Sequence, residues 1–207
     1  MRVVVWQARR VPLVDYGKSV DIYVTCEMTT ADSDKSERIF PGEDKFETDV
    51  HNGSRDGSGV FNYRMLFPVM IPSRMPRLKV QVWDQDLFSS NTFIGEANVN
   101  MSSFFVQALD SGERADRGRT WFQMTHPKYP GDLRGEIELQ MTLVTRKYAD
   151  KHPVGRARGQ PNEDPFLPDV VRPPRFGFGG GGGRGRLWCC LGIAVVVLVV
   201  LATQFLM

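Results

Sequence analysis

The sequence predicts an all-β head, an antiparallel β-sandwich, followed by a linker and a single membrane-spanning helix at the C-terminal end. Three observations predict this. Short apolar or alternating runs recur with turn residues between them, helical periodicity is confined to one short stretch, and charge vanishes from residues 187–207 of the 207-residue chain.

The strands come first. Arg2 to Trp6, Asp21 to Cys26, Arg64 to Phe67, Leu78 to Trp83, Ala97 to Asn100 and Glu136 to Val144 are β-branched or alternating runs. Asn52-Gly53, Asp56-Gly57, Gly131-Asp132 and several prolines punctuate them. Within the last run Ile137, Leu139 and Met141 fall on one face and Glu136, Glu138 and Gln140 on the other. Met101 to Leu109 is the one helical candidate, and Asp32 to Lys45 reads as a solvated loop. Six or more short strands without long helices predict a sandwich over residues 1–150. Cys26 is the single thiol of this head, and Cys189 and Cys190 are adjacent, so no disulfide framework is expected. That usage suits a cytosolic head.

Charge divides the chain further. Residues 1–150 carry 19 basic and 21 acidic residues, residues 151–186 seven and three, and residues 187–207 none. The formal net charge of +2 therefore gives no reason to expect a nucleic-acid partner. Residues 151–186 hold nine Gly and six Pro and read as a disordered basic linker, with an r.m.s. span of roughly 30–36 Å. Its arginines could attract an anionic leaflet or simply keep a spacer solvated. Residues 187–207, LWCCLGIAVVVLVVLATQFLM, would span roughly 31 Å as a helix, about the thickness of a bilayer core. Arg172, Arg175, Arg184 and Arg186 precede it, which predicts a cytoplasmic head on the plasma membrane or on vesicles. Small residues before an apolar tail also resemble a glycolipid-attachment signal, but Val3 to Trp6 is too short for the leader that route requires. Cys189 and Cys190 are either S-acylation sites or small apolar residues at the helix entry.

Two loops carry paired carboxylates. Asp15 and Asp21 flank Gly17, and Asp84 and Asp86 directly follow a strand. Calcium takes six to eight oxygen ligands, and carboxylates converging from separate loops can supply them. Solvated loop acids are the alternative.

RVVVWQARRVPLVDYGKSVDIYV resembles the first strand, first calcium loop and second strand of a C2 domain, and VQVWDQDLFSSNTFIGEA its third calcium loop. KFETDVHNGSRDGSGVFNYRMLFPV, and the stretch from GEIELQMTLV through GQPNEDPFLPDVVRPPR, resemble the last C2 domain of ferlins and its approach to the membrane helix. Ferlins are large multi-C2 proteins of vesicle traffic and membrane fusion. The resemblance implies an eight-stranded sandwich of permuted topology, in which Glu136 to Val144 pairs with Arg2 to Trp6. It also implies that the chain is a fragment of a longer protein. Asp15, Asp21, Asp84 and Asp86 match four of the family's five calcium-binding acids, and Thr92 stands at the fifth. A hydroxyl there is expected to weaken one ion subsite; Asp56 is a further acid that could approach. Leu87 and Phe88 lie at the tip of the third loop, where they would insert into a bilayer or pack locally. The implied function is calcium and anionic-phospholipid binding in trafficking or fusion, with trafficking or fusion proteins as further partners. The competing reading is a tethered adaptor that ignores calcium.

No enzyme is expected. The run Trp83-Asp84-Gln85-Asp86 lacks the Gly-rich strand–helix turn of a nucleotide-sugar enzyme. His51, His126 and His152 lack metal spacing, and no Ser or Cys has an identifiable base.

Overall fold

The computed structural model describes residues 1–13, 19–30, 44–86 and 89–172. Among them nine strands form two antiparallel sheets. One sheet orders β5 (Gly59–Leu66), β1 (Arg2–Arg9), β9 (Glu136–Val144) and β8 (Arg114–Gln123). The other orders β3 (Lys45–Glu47), β2 (Val20–Thr29), β6 (Arg77–Asp84) and β7 (Thr92–Asn100), with β4 (His51–Ser54) also on β2. Because β3 pairs with Thr25–Glu27 and β4 with Val20 and Ile22, the two pieces share one edge of β2. They act as one strand interrupted at residues 48–50, which leaves eight lanes.

Alternation builds the core. Val20, Ile22, Val24, Cys26 and Met28 of β2 are buried, while Tyr23 and Glu27 between them are half-buried. The same parity in β6 buries Leu78, Val80 and Val82, and carries on to Asp84 at the mouth of the sandwich. In β9, Ile137, Leu139, Met141 and Leu143 join the same core. β9 lies against β1 from Arg2↔Thr142 to Arg9↔Glu136, the pairing expected of a permuted topology. Helix α1 (Ser102–Ser111) covers one end with Phe104 and Phe105. Burial pushes the Cys26 thiol well above its ordinary pKa, so it stays protonated.

β8 has no counterpart among the expected strands. Its sequence, RADRGRTWFQ, carries no alternation, because it is an edge strand bonded to β9 alone and bulged between Arg117 and Thr120. Charged residues are what an edge tolerates.

The larger correction concerns the linker. Residues 151–172 are packed, and one compact unit runs from Met1 to Pro173. After α2 (Arg146–Lys151), residues 152–172 form a strap along β5. Leu167 is fully buried against Val4 and Trp6, on the face of β1 turned away from the main core. Arg64 of β5 donates to the carbonyls of Gly155, Glu163 and Pro165. Asp164 accepts from Arg2 at 2.7 Å and from Arg114 at 2.6 Å. Arg158 and Arg172 both hold Asp49, at 2.7 and 2.9 Å. Composition suggested disorder because a Gly- and Pro-rich chain has little apolar surface to bury. Here one leucine and a set of guanidinium–carbonyl and guanidinium–carboxylate bonds hold it instead. Residues 173–207 lie outside the described residues, and with them the expected transmembrane helix. Among the described residues no helix is long and apolar enough to cross a membrane.

Candidate functional site

β2 begins, β6 ends and β7 begins at the same end of the sandwich, and this is where the carboxylates sit. Register sets Ile22, Asp84 and Thr92 in one row across the sheet. Asp84 is buried at 5 % exposure. Its Oδ1 accepts the amide of Asp21 at 2.7 Å, and the amide of Gln85 donates to the Asp21 carbonyl at 2.8 Å. Asp21 Oδ1 in turn accepts the amide of Gly53 at 2.7 Å. Asn52 and Gly53, expected as a turn between strands, lie inside β4, where Gly53 takes φ +64° at the irregularity in its pairing with β2. Three separate segments are thus tied at two aspartates.

Asp86 is held by its own loop. Its amide donates to Asn91 Oδ1 at 3.2 Å, and its Oδ2 accepts the Thr92 hydroxyl at 3.0 Å. Thr92 is therefore a donor that orients Asp86, not merely a missing carboxylate. Asn91, which sequence reasoning passed over, also donates to the Tyr23 hydroxyl at 2.9 Å and joins this loop to β2. Asp56 makes its bonds within its own turn, to the Ser58 amide at 3.0 Å and the Ser54 hydroxyl at 3.2 Å. Chiefly the Ser58 amide holds its pKa below the usual carboxylate range.

The structure therefore places Asp21, Asp84, Asp86 and Thr92 at one end. Asp15, Leu87, Phe88, Cys189 and Cys190 fall outside the described residues. The donor set is oxygen only, which suits a hard cation rather than zinc or copper. Among the described residues, however, no three His, Cys, Asp or Glu side chains could hold a metal ion together. The described carboxylates do not close a calcium site by themselves.

One row below the carboxylates lies an aromatic ladder. Tyr23, Trp83 and Phe93 are register partners, with ring centroids 6.5 and 5.1 Å apart. His126 and Tyr129 extend it at 4.9 Å each, and Arg134 stacks on Tyr129. Tyr23 and Trp83 fell in expected strands, but Phe93 did not, because β7 begins at Thr92 and not at Ala97, and His126 arrives through a bridge between Glu96 and Thr125 that periodicity does not show.

The chain also matches a known domain family and curated relatives. A family model described as "C2 domain" matches residues 1–124. Ferlin 1 of Toxoplasma gondii is 38% identical over 171 residues, covering 83% of this chain and 11% of that relative. Ferlin 2 of Tetrahymena thermophila is 36% identical over 169 residues, covering 81% of this chain and 10% of that relative. The chain thus spans about a tenth of the length of these curated relatives. Among solved structures, the first C2 domain of plant extended synaptotagmin 1 overlaps 69% of this chain and 90% of its own, at TM-score 0.49 and 16% identity.

Proposed function

This chain belongs to the C2 domain family, and on that premise, with its ferlin relatives, we propose that it is a ferlin-type membrane head. It binds calcium and anionic phospholipid in vesicle trafficking or membrane fusion. Residues 187–207 anchor it, the head faces the cytoplasm, and Cys189 and Cys190 are acylation sites at the entry of the anchor. The observation that carries the reading is the tie from Gly53 to Asp21 to Asp84, with Asp86 alongside, at a single end of the sandwich.

The chemistry follows from how these side chains are held. Backbone amides fix one oxygen each of Asp21 and Asp84, so little side-chain entropy remains to be lost on binding. The Thr92 hydroxyl and the Asn91 amide oxygen order Asp86 and its backbone. With Asp15 added, these carboxylates present negative charge toward an anionic leaflet and repel it. A bound calcium ion supplies the compensating charge and open coordination positions for phosphate oxygens. Leu87 and Phe88, between Asp86 and Asn91, are placed by sequence to enter the interface.

Residues 1–172, co-sedimented with phosphatidylcholine/phosphatidylserine vesicles, provide the test. Pelleting in calcium and release by chelator are expected; pelleting unchanged by chelator rejects the calcium step. A second reading, the calcium-independent adaptor, is favoured by Thr92 and by the lack of a three-carboxylate group among the described residues. Calcium titration by calorimetry separates the two, because the adaptor gives no heat of binding.

A further inference from the structure

A fourth connection stands at the acidic end, beside those that carry the carboxylates. β8 ends at Gln123 opposite Glu136, and Glu136 opposes Arg9 where β1 ends, so residues 124–135 turn back at that end. Their base is tied on two sides. The Met124 amide donates to the Gly135 carbonyl at 2.9 Å and the Arg134 amide to the Met124 carbonyl at 2.8 Å. Thr125 and Glu96 of β7 exchange amide–carbonyl bonds at 2.9 and 2.8 Å. Gly95 admits this contact, since a Cβ there would stand 2.7 Å from Arg134 Cβ and 3.1 Å from the Thr125 carbonyl oxygen. The tip is braced as well. The Tyr129 amide donates to the His126 carbonyl at 2.9 Å and the Lys128 amide to His126 Nδ1 at 3.0 Å. The Arg134 guanidinium covers the Tyr129 ring at 4.5 Å and reaches Asp132 at 3.6 Å. Yet residues 127–133 are all exposed, Tyr129 at 51 % and Leu133 at 62 %. The Lys128 ammonium beside them makes no ion pair with the described residues.

We propose that residues 126–133 are a membrane-insertion loop, with Leu133 and Tyr129 entering the bilayer interface and Lys128 meeting the phosphates. This rests on the reading of the head as a phospholipid binder and deepens it, because the contact uses no carboxylate and needs no ion. Seven consecutive exposed residues make a protrusion and not a groove, which suits a fluid interface better than a shaped protein partner. The residue types are graded for depth. Leucine suits the acyl boundary, tyrosine the headgroup level, and a lysine stem can reach back to phosphate. Neighbouring connections at this end offer nothing comparable, since residues 55–58 read RDGS and 89–91 read SSN. Bracing matters too. A loop already ordered by His126, Arg134 and the Glu96–Thr125 bridge gives up little conformational entropy when it enters the interface.

Residues 1–172, which fall within one compact unit, can be tested on phosphatidylcholine/phosphatidylserine vesicles. Cys26 is buried and its thiol stays protonated, so a polarity-sensitive dye labels only an introduced cysteine. Leu133→Cys carries the dye into the loop. Leu109→Cys places it on α1 at the opposite end, where the leucine is 53 % exposed, so apolarity alone would treat the two alike. Pelleting in calcium and in chelator comes first. No pelleting in either removes the phospholipid reading and the inference together. Where the head pellets, emission from position 133 should shift to the blue and be quenched by nitroxide-labelled lipid, with position 109 unchanged. Pelleting with position 133 unchanged, or with both positions shifted alike, overturns the inference and leaves the phospholipid reading standing. Leu133→Ser with Lys128→Gln, unlabelled, should weaken vesicle binding about tenfold. Both side chains are exposed, so its Tm should match the parent's. Affinity equal to the parent's also overturns the inference.

Discussion

Arg64→Met would convert a buried guanidinium into an apolar chain of similar length. Arg64 is 0 % exposed, and its Nη atoms donate to three strap carbonyls, Gly155 at 3.0 Å, Glu163 at 2.7 Å and Pro165. Its Nε has no hydrogen-bond partner in the described structure. Burial, then the neighbouring Arg2, lowers the guanidinium pKa, and Asp164 offsets part of this. Hydrogen bonds to a charged group are worth about 1.5–3 kcal/mol each. Three would give about 4–9 kcal/mol if nothing relaxed, but freed carbonyls recover water once the strap lifts. A loss of about 3–4 kcal/mol in strap docking is therefore expected, near the lower end for breaking buried charged contacts. Hydrogen exchange of the Ala157 amide, which donates to the Arg64 carbonyl at 2.8 Å, reads it directly. The variant should exchange about 10²–10³-fold faster. Where strap and sandwich unfold together, Tm falls by about 6–16 °C. Arg64→Lys keeps the charge but cannot fork to three acceptors, and should lie between. Ala157 and Leu167 amides as protected as in the parent would falsify the assignment of the strap's hold to Arg64.

Leu167→Ala should cost about 2–5 kcal/mol, because it empties the site between Val4 and Trp6; chemical denaturation of residues 1–172 measures it, and a change below about 0.5 kcal/mol would mean that the leucine is not an anchor. Thr92→Asp replaces a donor to Asp86 with a like charge, so Tm should drop in chelator and recover with calcium at lower concentrations than the parent requires; no recovery would count against an ion at this end. Burial, then the charge of Arg172, lowers the His51 pKa, so the folded state takes up fewer protons than the unfolded chain below about pH 6.5. The contribution of the His51–Arg172 contact is thus full above that value and lost as pH falls; denaturant midpoints from about pH 7.5 to about 5.5 should decline, and His51→Gln should flatten the decline. Asp164 has its pKa lowered chiefly by the Arg114 hydrogen bond, so its share of strap stability persists above about pH 4 and is lost on further acidification through the depressed value, an effect Asp164→Asn should remove from the acid limb.

The sandwich was legible because β2, β6 and β9 set apolar side chains on one face and polar ones on most of the other, which writes period two into the sequence. The acidic residues were visible as paired carboxylates at strand ends, but the bond from Gly53 to Asp21 was not, since it needs the pairing of β4 with β2. β8 was not, because an edge strand with a bulge keeps charged residues on both sides. The strap left one trace that was read too locally. Arg2 to Trp6 is almost continuously buried, with Val3 and Val5 in the main core and Val4 and Trp6 against Leu167. A strand apolar on both faces needs a cover on both faces, and residues 152–172 supply the second. Their Gly and Pro content concealed this, since side-chain bonds from Arg64, Arg114 and Asp49 come from elsewhere in the chain. Asp164 and Asp49 look like solvated acids until the fold brings arginines to them.

β5 is an outer strand, and its outward carbonyls would otherwise invite another chain to add itself there. The strap meets them mostly with side chains: Arg172 takes the Val60 carbonyl, Arg158 the Phe61 carbonyl at 2.7 Å, and only Ala157 bonds to Arg64 backbone to backbone. Guanidinium groups cap such a row without offering the regular ladder on which a further strand could grow. A head trimmed at residue 150 would therefore gain a sticky margin as well as lose stability. Self-association through β5, visible as concentration-dependent mass in solution, is the behaviour expected of that shortened form and not of one ending at residue 172.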